Sequence, residues 1–120
     1  MLQSIDFNVT YGAENNPYFK EADAWTCTFG YDGREIGVAF YMGVGHGGKE
    51  PEKEDVLDAL FMDASAKDFS FEEWCAEFGY NDDSISALET YKACLNHAEE
   101  LEYLLGSNYD SVRDEVQELV

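Results

Sequence analysis

Residues 24–42 read AWTCTFGYDGREIGVAFYM, two runs rich in apolar residues that are joined at Asp32-Gly33. The first run alternates apolar and polar side chains, as one face of a half-buried strand does. Asp-Gly between two such runs is a strong hairpin signal, because glycine adopts a positive φ at no steric cost. We therefore predict an antiparallel hairpin whose return strand is residues 35–42.

A further strand is predicted before the hairpin and a helix after it. Residues 4–11 alternate polar and apolar side chains, which predicts a half-buried strand beside the hairpin. After the glycine-rich residues 43–48 the period becomes helical, and Pro51 suits the first turn of a helix. The apolar stripe of this helix is predicted to consist of Val56, Leu57, Leu60, Phe61 and Ala64.

Capping signals divide the rest of the chain into helices. Ser70 and Glu73 match a capping box, Gly79 is a natural stop, and residues 81–84 offer the next N-cap. The clearest helix follows over residues 85–105 and ends at Gly106, and a last short helix is predicted near residues 110–119. The predicted core stripes of these two helices are Ile85, Leu88, Tyr91, Leu95, Ala98, Leu101 and Leu105, and then Val112, Val116 and Leu119.

Strands followed by helices predict an α+β fold, a three-stranded antiparallel sheet followed by three to four helices packed on one face. A chain of 120 residues fits a single domain, with a sheet portion at 1–42 and a helical portion at 51–120. Neither a signal peptide nor an apolar run of about 18–20 residues is present, so we expect a soluble protein that stays where it is made.

Negative charge is concentrated in the helical portion. The chain has 26 acidic and 7 basic residues, a net charge of −19, of which −16 falls on residues 50–120. This excess argues against a nucleic-acid binder and against a protein that docks on anionic membranes. The charge either keeps the protein soluble or forms a surface for a basic partner. For the second alternative, the predicted contact residues are Glu99, Glu100, Glu102, Asp114, Glu115 and Glu118.

No pattern in the sequence assembles an active site, a metal site or a cofactor site. The three cysteines are widely spaced and odd in number, which favours reduced, buried thiols. Cys94 and His97 lie one helical turn apart and could chelate a metal ion, but a second such pair is missing. We therefore predict no enzyme, no metal and no cofactor.

The glycine-rich residues 43–48 are a weak match to a phosphate-binding loop, because Lys49 is not followed by Ser or Thr and because Glu50 and Glu52 would repel phosphate. The candidate contacts in this loop are His46 and Lys49, although a mobile connector explains such a loop as well.

Three segments together resemble small accessory proteins of tailed bacteriophages and prophages. They are residues 38–46 (VAFYMGVGH), 56–64 (VLDALFMDA) and 71–84 (FEEWCAEFGYNDDS), and the resemblance covers about residues 24–106. Most members of this group have no assigned function. Small acidic phage proteins without catalytic motifs often resemble inhibitors of host defence, including anti-CRISPR and anti-restriction proteins, some of which mimic DNA.

The resemblance and the charge together predict a phage-encoded, non-enzymatic protein that inhibits a host nucleic-acid-handling defence complex, by DNA mimicry in one version. We expect a basic host protein or nucleoprotein complex as partner, in the host cytoplasm, without direct binding to nucleic acid or membrane. A homodimer is an open alternative. The other functions left open are a small-ligand protein that binds a nucleotide signal at the loop of residues 43–48, and a phage adaptor.

Overall fold

A computed structural model describes residues 1–11, 24–41 and 51–119 of the chain. Its three strands are β1 (Asp6–Tyr11), β2 (Ala24–Tyr31) and β3 (Arg34–Tyr41). They form an antiparallel sheet in the order β1-β2-β3. The predicted hairpin is confirmed, because Asp32 and Gly33 have φ values of 51° and 77°, the two positive values that a tight two-residue turn requires.

Four α-helices follow the sheet in the described residues: α1 (Lys53–Ala64), α2 (Phe71–Phe78), α3 (Ile85–Leu105) and α4 (Tyr109–Leu119). Short 3₁₀ turns lie at Leu2–Ser4, Ser65–Asp68 and Gly106–Asn108. The predicted α+β fold is therefore confirmed. The first strand was predicted to begin at residue 4, but residues 2–4 form a helical turn instead. Pro51 was predicted in the first turn of a helix, but it lies before α1, whose N-cap is Glu52.

Three of the helices, α1, α3 and α4, pack on one face of the sheet to form the main core. Cross-strand neighbours Val9, Cys27 and Val38 lie on this face, as do Phe7, Phe29 and Ile36. The stripe predicted for α1 is buried throughout. Two hydrogen bonds tie the hairpin to the corner between α3 and α4: Arg34 Nη1 donates to the Tyr103 carbonyl over 3.2 Å, and Asn108 Nδ2 donates to the Tyr31 hydroxyl over 2.8 Å.

A second cluster joins α2 to the first half of α3. Trp74, Cys75, Ala87 and Cys94 are buried there, with Tyr91 packed beside them. Small residues at positions 87 and 94 let α2 approach α3 closely. The buried line of α3 therefore passes through Ala87, Cys94, Ala98, Leu101, Leu104 and Leu105.

The predicted stripes fail at two helix ends. Ile85 is 77% exposed and Leu88 is 36% exposed, because Ala87 is the residue of the first turn of α3 that packs against α2, and the other two side chains lie on other sides of the helix. Leu119 is 62% exposed, because the last turn of α4 passes beyond Val116, which is buried. The predicted stripes of α3 and α4 are therefore wrong at the first turn of α3 and at the last turn of α4.

Candidate interaction surface

The acidic residues predicted as partner contacts differ in their exposure and in the groups that they contact. Glu99 and Glu102 are exposed one turn apart on α3, and Asp114 and Glu118 are exposed one turn apart on α4. Side chains three or four residues apart lie on the same side of a helix. Each helix therefore presents a pair of carboxylates to solvent.

Three of the predicted contacts already contact groups of the same chain: Asp114 lies 3.8 Å from the Arg113 guanidinium, and the other two accept hydrogen bonds. Glu102 Oε1 accepts a hydrogen bond from Lys67 Nζ over 2.9 Å. Glu115 Oε2 accepts one from the Leu2 backbone nitrogen over 3.0 Å, and Oε1 lies 3.5 Å from the N-terminal ammonium. These contacts neutralise part of the charge that a partner would meet.

Glu100 is half-buried, and one of its carboxylate oxygens, Oε2, is buried with no hydrogen-bond partner among the described residues. Burial raises the pKa of Glu100, and the charge of His97, one turn before it, lowers the pKa to a smaller extent. Of the six predicted residues, Glu99 and Glu118 are therefore the most available to a partner, followed by Asp114, which is exposed but lies 3.8 Å from Arg113.

The described cations are mostly occupied by the chain itself. Lys53 Nζ donates to the carbonyls of Leu2 and Ile5 over 3.0 and 3.1 Å. Arg113 lies 3.4 Å from Asp110 and 3.8 Å from Asp114. The surface consequently has little free positive charge to offset its acids.

Lys67 also belongs to this group of occupied cations. Its ammonium lies 4.3 Å from the centre of the Tyr109 ring and bonds to Glu102. Burial lowers the pKa of Lys67, but its hydrogen bond to Glu102 and the charges of Glu102 and Tyr109 together outweigh burial and raise it. Lys67 is therefore a charged partner of Glu102 over the ordinary pH range.

A second acidic region, part of which is predicted as helix caps, surrounds α2. Between residues 68 and 91 there are seven acidic residues and no Lys or Arg. All seven are exposed: Asp68, Glu72, Glu73, Glu77, Asp82, Asp83 and Glu89. The sequence shows this concentration of acidic residues, but it does not show which surface of the protein they lie beside.

An aromatic groove lies beside these acids, and the end of α2 forms it. The predicted capping box is confirmed: the Glu73 backbone nitrogen donates to Ser70 Oγ, and the Ser70 nitrogen donates to Glu73 Oε1, each over 3.2 Å. Gly79 ends the helix at φ 77°, and the Tyr80 nitrogen then donates to the Cys75 carbonyl over 2.9 Å. This reversal places the Tyr80 ring on the Trp74 ring.

The two rings stack with centres 4.5 Å apart and an angle of 13° between their planes. Phe78 lies four residues after Trp74 on the same side of α2, a spacing that predicts a core residue, but it is 45% exposed. Tyr80 is 44% exposed and Met62, from α1, is 64% exposed. Together with Trp74, Asp63, Thr90 and Cys94, these side chains line a groove of about 220 Å³, which we call the aromatic groove.

Two cysteines and a histidine lie near this groove. Burial, with a smaller effect from Asp63, raises the pKa of the Cys94 thiol to about 11. Burial, with the charges of Asp82 and Glu72, also raises the pKa of Cys75. A thiol is a nucleophile and a metal ligand only as the thiolate, so both are weak at neutral pH.

His97 binds Asp63 in the structure. Its Nδ1 lies 2.9 Å from Asp63 Oδ2, and this contact joins α3 to the end of α1. Within residues 1–11, 24–41 and 51–119, the structure gathers no group of three or more His, Cys, Asp or Glu side chains that could hold a metal ion.

The loop proposed as a ligand site cannot be placed. His46 and Lys49, with the whole of residues 43–48, lie outside the described residues. A larger cavity of about 450 Å³ between α1 and α4 includes Lys67 and Arg113, but both bind carboxylates of the chain. A phosphate would have to displace those carboxylates, so this cavity is a poor phosphate site.

In the part of the chain that is described, no helix has the length and apolar character to span a membrane. Comparison of the chain with protein-family models, with curated proteins and with solved structures finds no match. The geometry of the surface is therefore the basis for the proposals that follow.

Proposed function

We propose that the protein is a phage-encoded, non-enzymatic inhibitor that binds a nucleic-acid-handling defence complex of the bacterial host, in the host cytoplasm. The observation that carries the proposal is the net charge of −16 on residues 50–120, where Lys53, Lys67 and Arg113 already contact groups of the same chain. A basic groove built to bind nucleic acid is the complement of such a surface.

The spacing of the exposed carboxylates supports mimicry of a phosphate backbone. Glu99 and Glu102 are three residues apart, which is about 4.5 Å along a helix axis, and Asp114 and Glu118 are about 6 Å apart. Phosphates follow one another about every 3.4 Å along the axis on each strand of DNA. The pair on α3 therefore has about three quarters, and the pair on α4 just over half, of the linear charge density of one DNA strand.

The mode of inhibition is competition for the groove. A folded protein that occupies basic side chains prevents them from contacting phosphates, and it needs no active site to do so. Electrostatic attraction also speeds the encounter of oppositely charged surfaces, and salt weakens this effect. The proposed partner is accordingly a basic protein or nucleoprotein complex rather than nucleic acid or membrane.

The test is a capture experiment with two charge-reversed variants. The protein is immobilised, exposed to lysate of a bacterial host, and washed at low and then high salt, and the eluates are identified by mass spectrometry. We expect a nucleic-acid-binding complex that the high-salt wash releases. The variant Glu99→Lys/Asp114→Lys should lose it.

A matched control separates the helical surface from net charge. Asp6→Lys/Glu35→Lys makes the same change in net charge at exposed positions of the sheet portion. This control should retain the complex. Equal retention by both variants, or capture of phage proteins alone, would contradict the proposal and favour an adaptor.

A further inference from the structure

The aromatic groove is a contiguous apolar surface rather than a scatter of exposed residues. Single exposed apolar side chains are normal on soluble proteins. Here Phe78, Tyr80 and Met62 surround the edge of one buried ring, Trp74, and all three are close to or above half exposure. Exposed apolar patches that polar residues surround are typical of interaction sites.

The floor of the groove is held in place before any partner binds. Trp74 packs against Phe71 and Tyr91, with ring centres 6.5 and 5.3 Å apart. The Tyr91 hydroxyl donates a hydrogen bond to the Phe69 carbonyl over 2.6 Å. Because these rings are already ordered, a ligand would bind without the entropic cost of arranging them.

The size of the groove suits an anchor side chain. Its volume of about 220 Å³ is below the roughly 300–1,000 Å³ of small-molecule sites. Protein interfaces commonly place one aromatic or aliphatic side chain in a pocket of this kind, at the centre of the contact. The groove therefore fits part of another protein better than a small-molecule ligand.

The charge around the groove determines the kind of segment that it accepts. Asp63 lines it, and no Lys or Arg of the described residues does. Glu77 precedes Phe78, Asp82 follows Tyr80 by two residues, and Glu89 precedes Thr90, all of them exposed. Lysine or arginine beside the anchor would meet these carboxylates, whereas an acidic segment would be repelled.

We infer that the aromatic groove binds a segment of a partner protein in which an apolar anchor side chain is flanked by Lys or Arg. The inference rests on the proposed function in one respect, since both require a basic partner. The two remain separable: charge reversal on α3 and α4 tests the proposed function, and truncation of the groove tests this inference.

The experiment is selection of binders from a displayed library of random twelve-residue peptides on the purified protein. We expect enriched peptides to contain Leu, Met, Phe or Trp beside at least two Lys or Arg residues. One enriched peptide is then synthesised, and its Kd is measured by fluorescence anisotropy against variants of the groove. Phe78→Ser should weaken binding about tenfold or more, as loss of a central contact does.

Two further variants keep the test decisive. Met62→Ser removes the most exposed groove residue and should also weaken binding, even if Phe78→Ser fails to fold. Leu119→Ser changes an equally exposed apolar residue at the end of α4 and should leave the Kd unchanged.

Several results would overturn the inference. They are failure to select any peptide, enriched peptides without the combination of apolar and basic residues, and equal affinity for Met62→Ser and the unchanged protein. Sedimentation that reveals a dimer, with Met62→Ser shifting it to monomer, would assign the groove to a second copy of the chain instead.

Discussion

Replacing Glu100 by glutamine should stabilise the protein at neutral pH. Glu100 Oε2 is buried without a hydrogen-bond partner among the described residues, and burial raises the pKa of this carboxyl group. A buried polar group without a partner costs about 1–3 kcal/mol, and more when it is charged. Glutamine leaves a polar amide at the same place but removes the buried charge, and His97 already offsets part of the cost of that charge, so we expect Glu100→Gln to gain only about 1 kcal/mol.

The stability gained by Glu100→Gln should depend on pH. The folded protein holds the Glu100 proton more tightly than the unfolded chain does, so this residue lowers stability as pH rises above the unfolded value of about 4.5. The gain from glutamine should therefore be complete at pH 7 and disappear below the unfolded pKa, where both states are protonated.

The assay is urea denaturation at pH 7 and at pH 4, with Glu99→Gln as the matched control. Glu99 is exposed, so its replacement removes the same charge without relieving burial. We expect Glu100→Gln to exceed Glu99→Gln in free energy of unfolding at pH 7 and to approach it at pH 4. Equal values at pH 7, or a gain that persists at pH 4, would refute the reasoning.

Three further predictions concern the fold around the groove and the core. Ser70→Ala should lower the free energy of unfolding by about 1 kcal/mol, because it removes the N-cap of α2, and an unchanged thermal midpoint would contradict the capping role. Leu101→Ala should cost about 2–5 kcal/mol in urea denaturation, because the side chain is fully buried, whereas Ile85→Ala should stay within about 0.5 kcal/mol as an exposed control; similar losses for both would contradict the assigned core of α3. Cys75 and Cys94 should react slowly with a thiol reagent at pH 8 in the folded protein and rapidly in urea, since burial raises the pKa of both thiols; rapid labelling of either in the native state would show that it is not buried.

The elements of the fold are readable from the sequence because their signals are local. Asp32-Gly33 defines the hairpin through the positive φ that glycine tolerates, and Ser70 with Glu73 defines the start of α2. Local signals do not predict whether the apolar residues at the ends of α3 and α4 are buried. Ile85 continues the apolar pattern of α3, but whether a helix end reaches its neighbour depends on packing between elements.

The interaction surface was less predictable, because it depends on contacts between residues that are distant in sequence. The bond between Lys67 and Glu102 spans 35 residues, and the bond between Leu2 and Glu115 spans 113. No periodicity indicates that these carboxylates are already occupied. The exposure of Phe78 was hidden for a related reason, since its spacing from Trp74 is that of two core residues on one helix face.

The acidic helices and the aromatic groove suggest a division of roles within one partner complex. Charge attracts a basic surface over several ångströms and is weakened by salt, whereas an apolar anchor acts only in contact and resists salt. Binding that remains measurable at high salt in the charge-reversed variant would reveal the contribution of the groove.

Displacement by DNA tests the central proposal most directly. The complex captured by the immobilised protein is exposed to increasing concentrations of duplex DNA, and its release is followed by surface plasmon resonance. The account predicts that DNA and the protein compete, so that the complex dissociates as DNA occupies the shared groove. If the DNA instead binds to the captured complex without releasing it, the protein does not occupy the nucleic-acid groove and mimicry is contradicted.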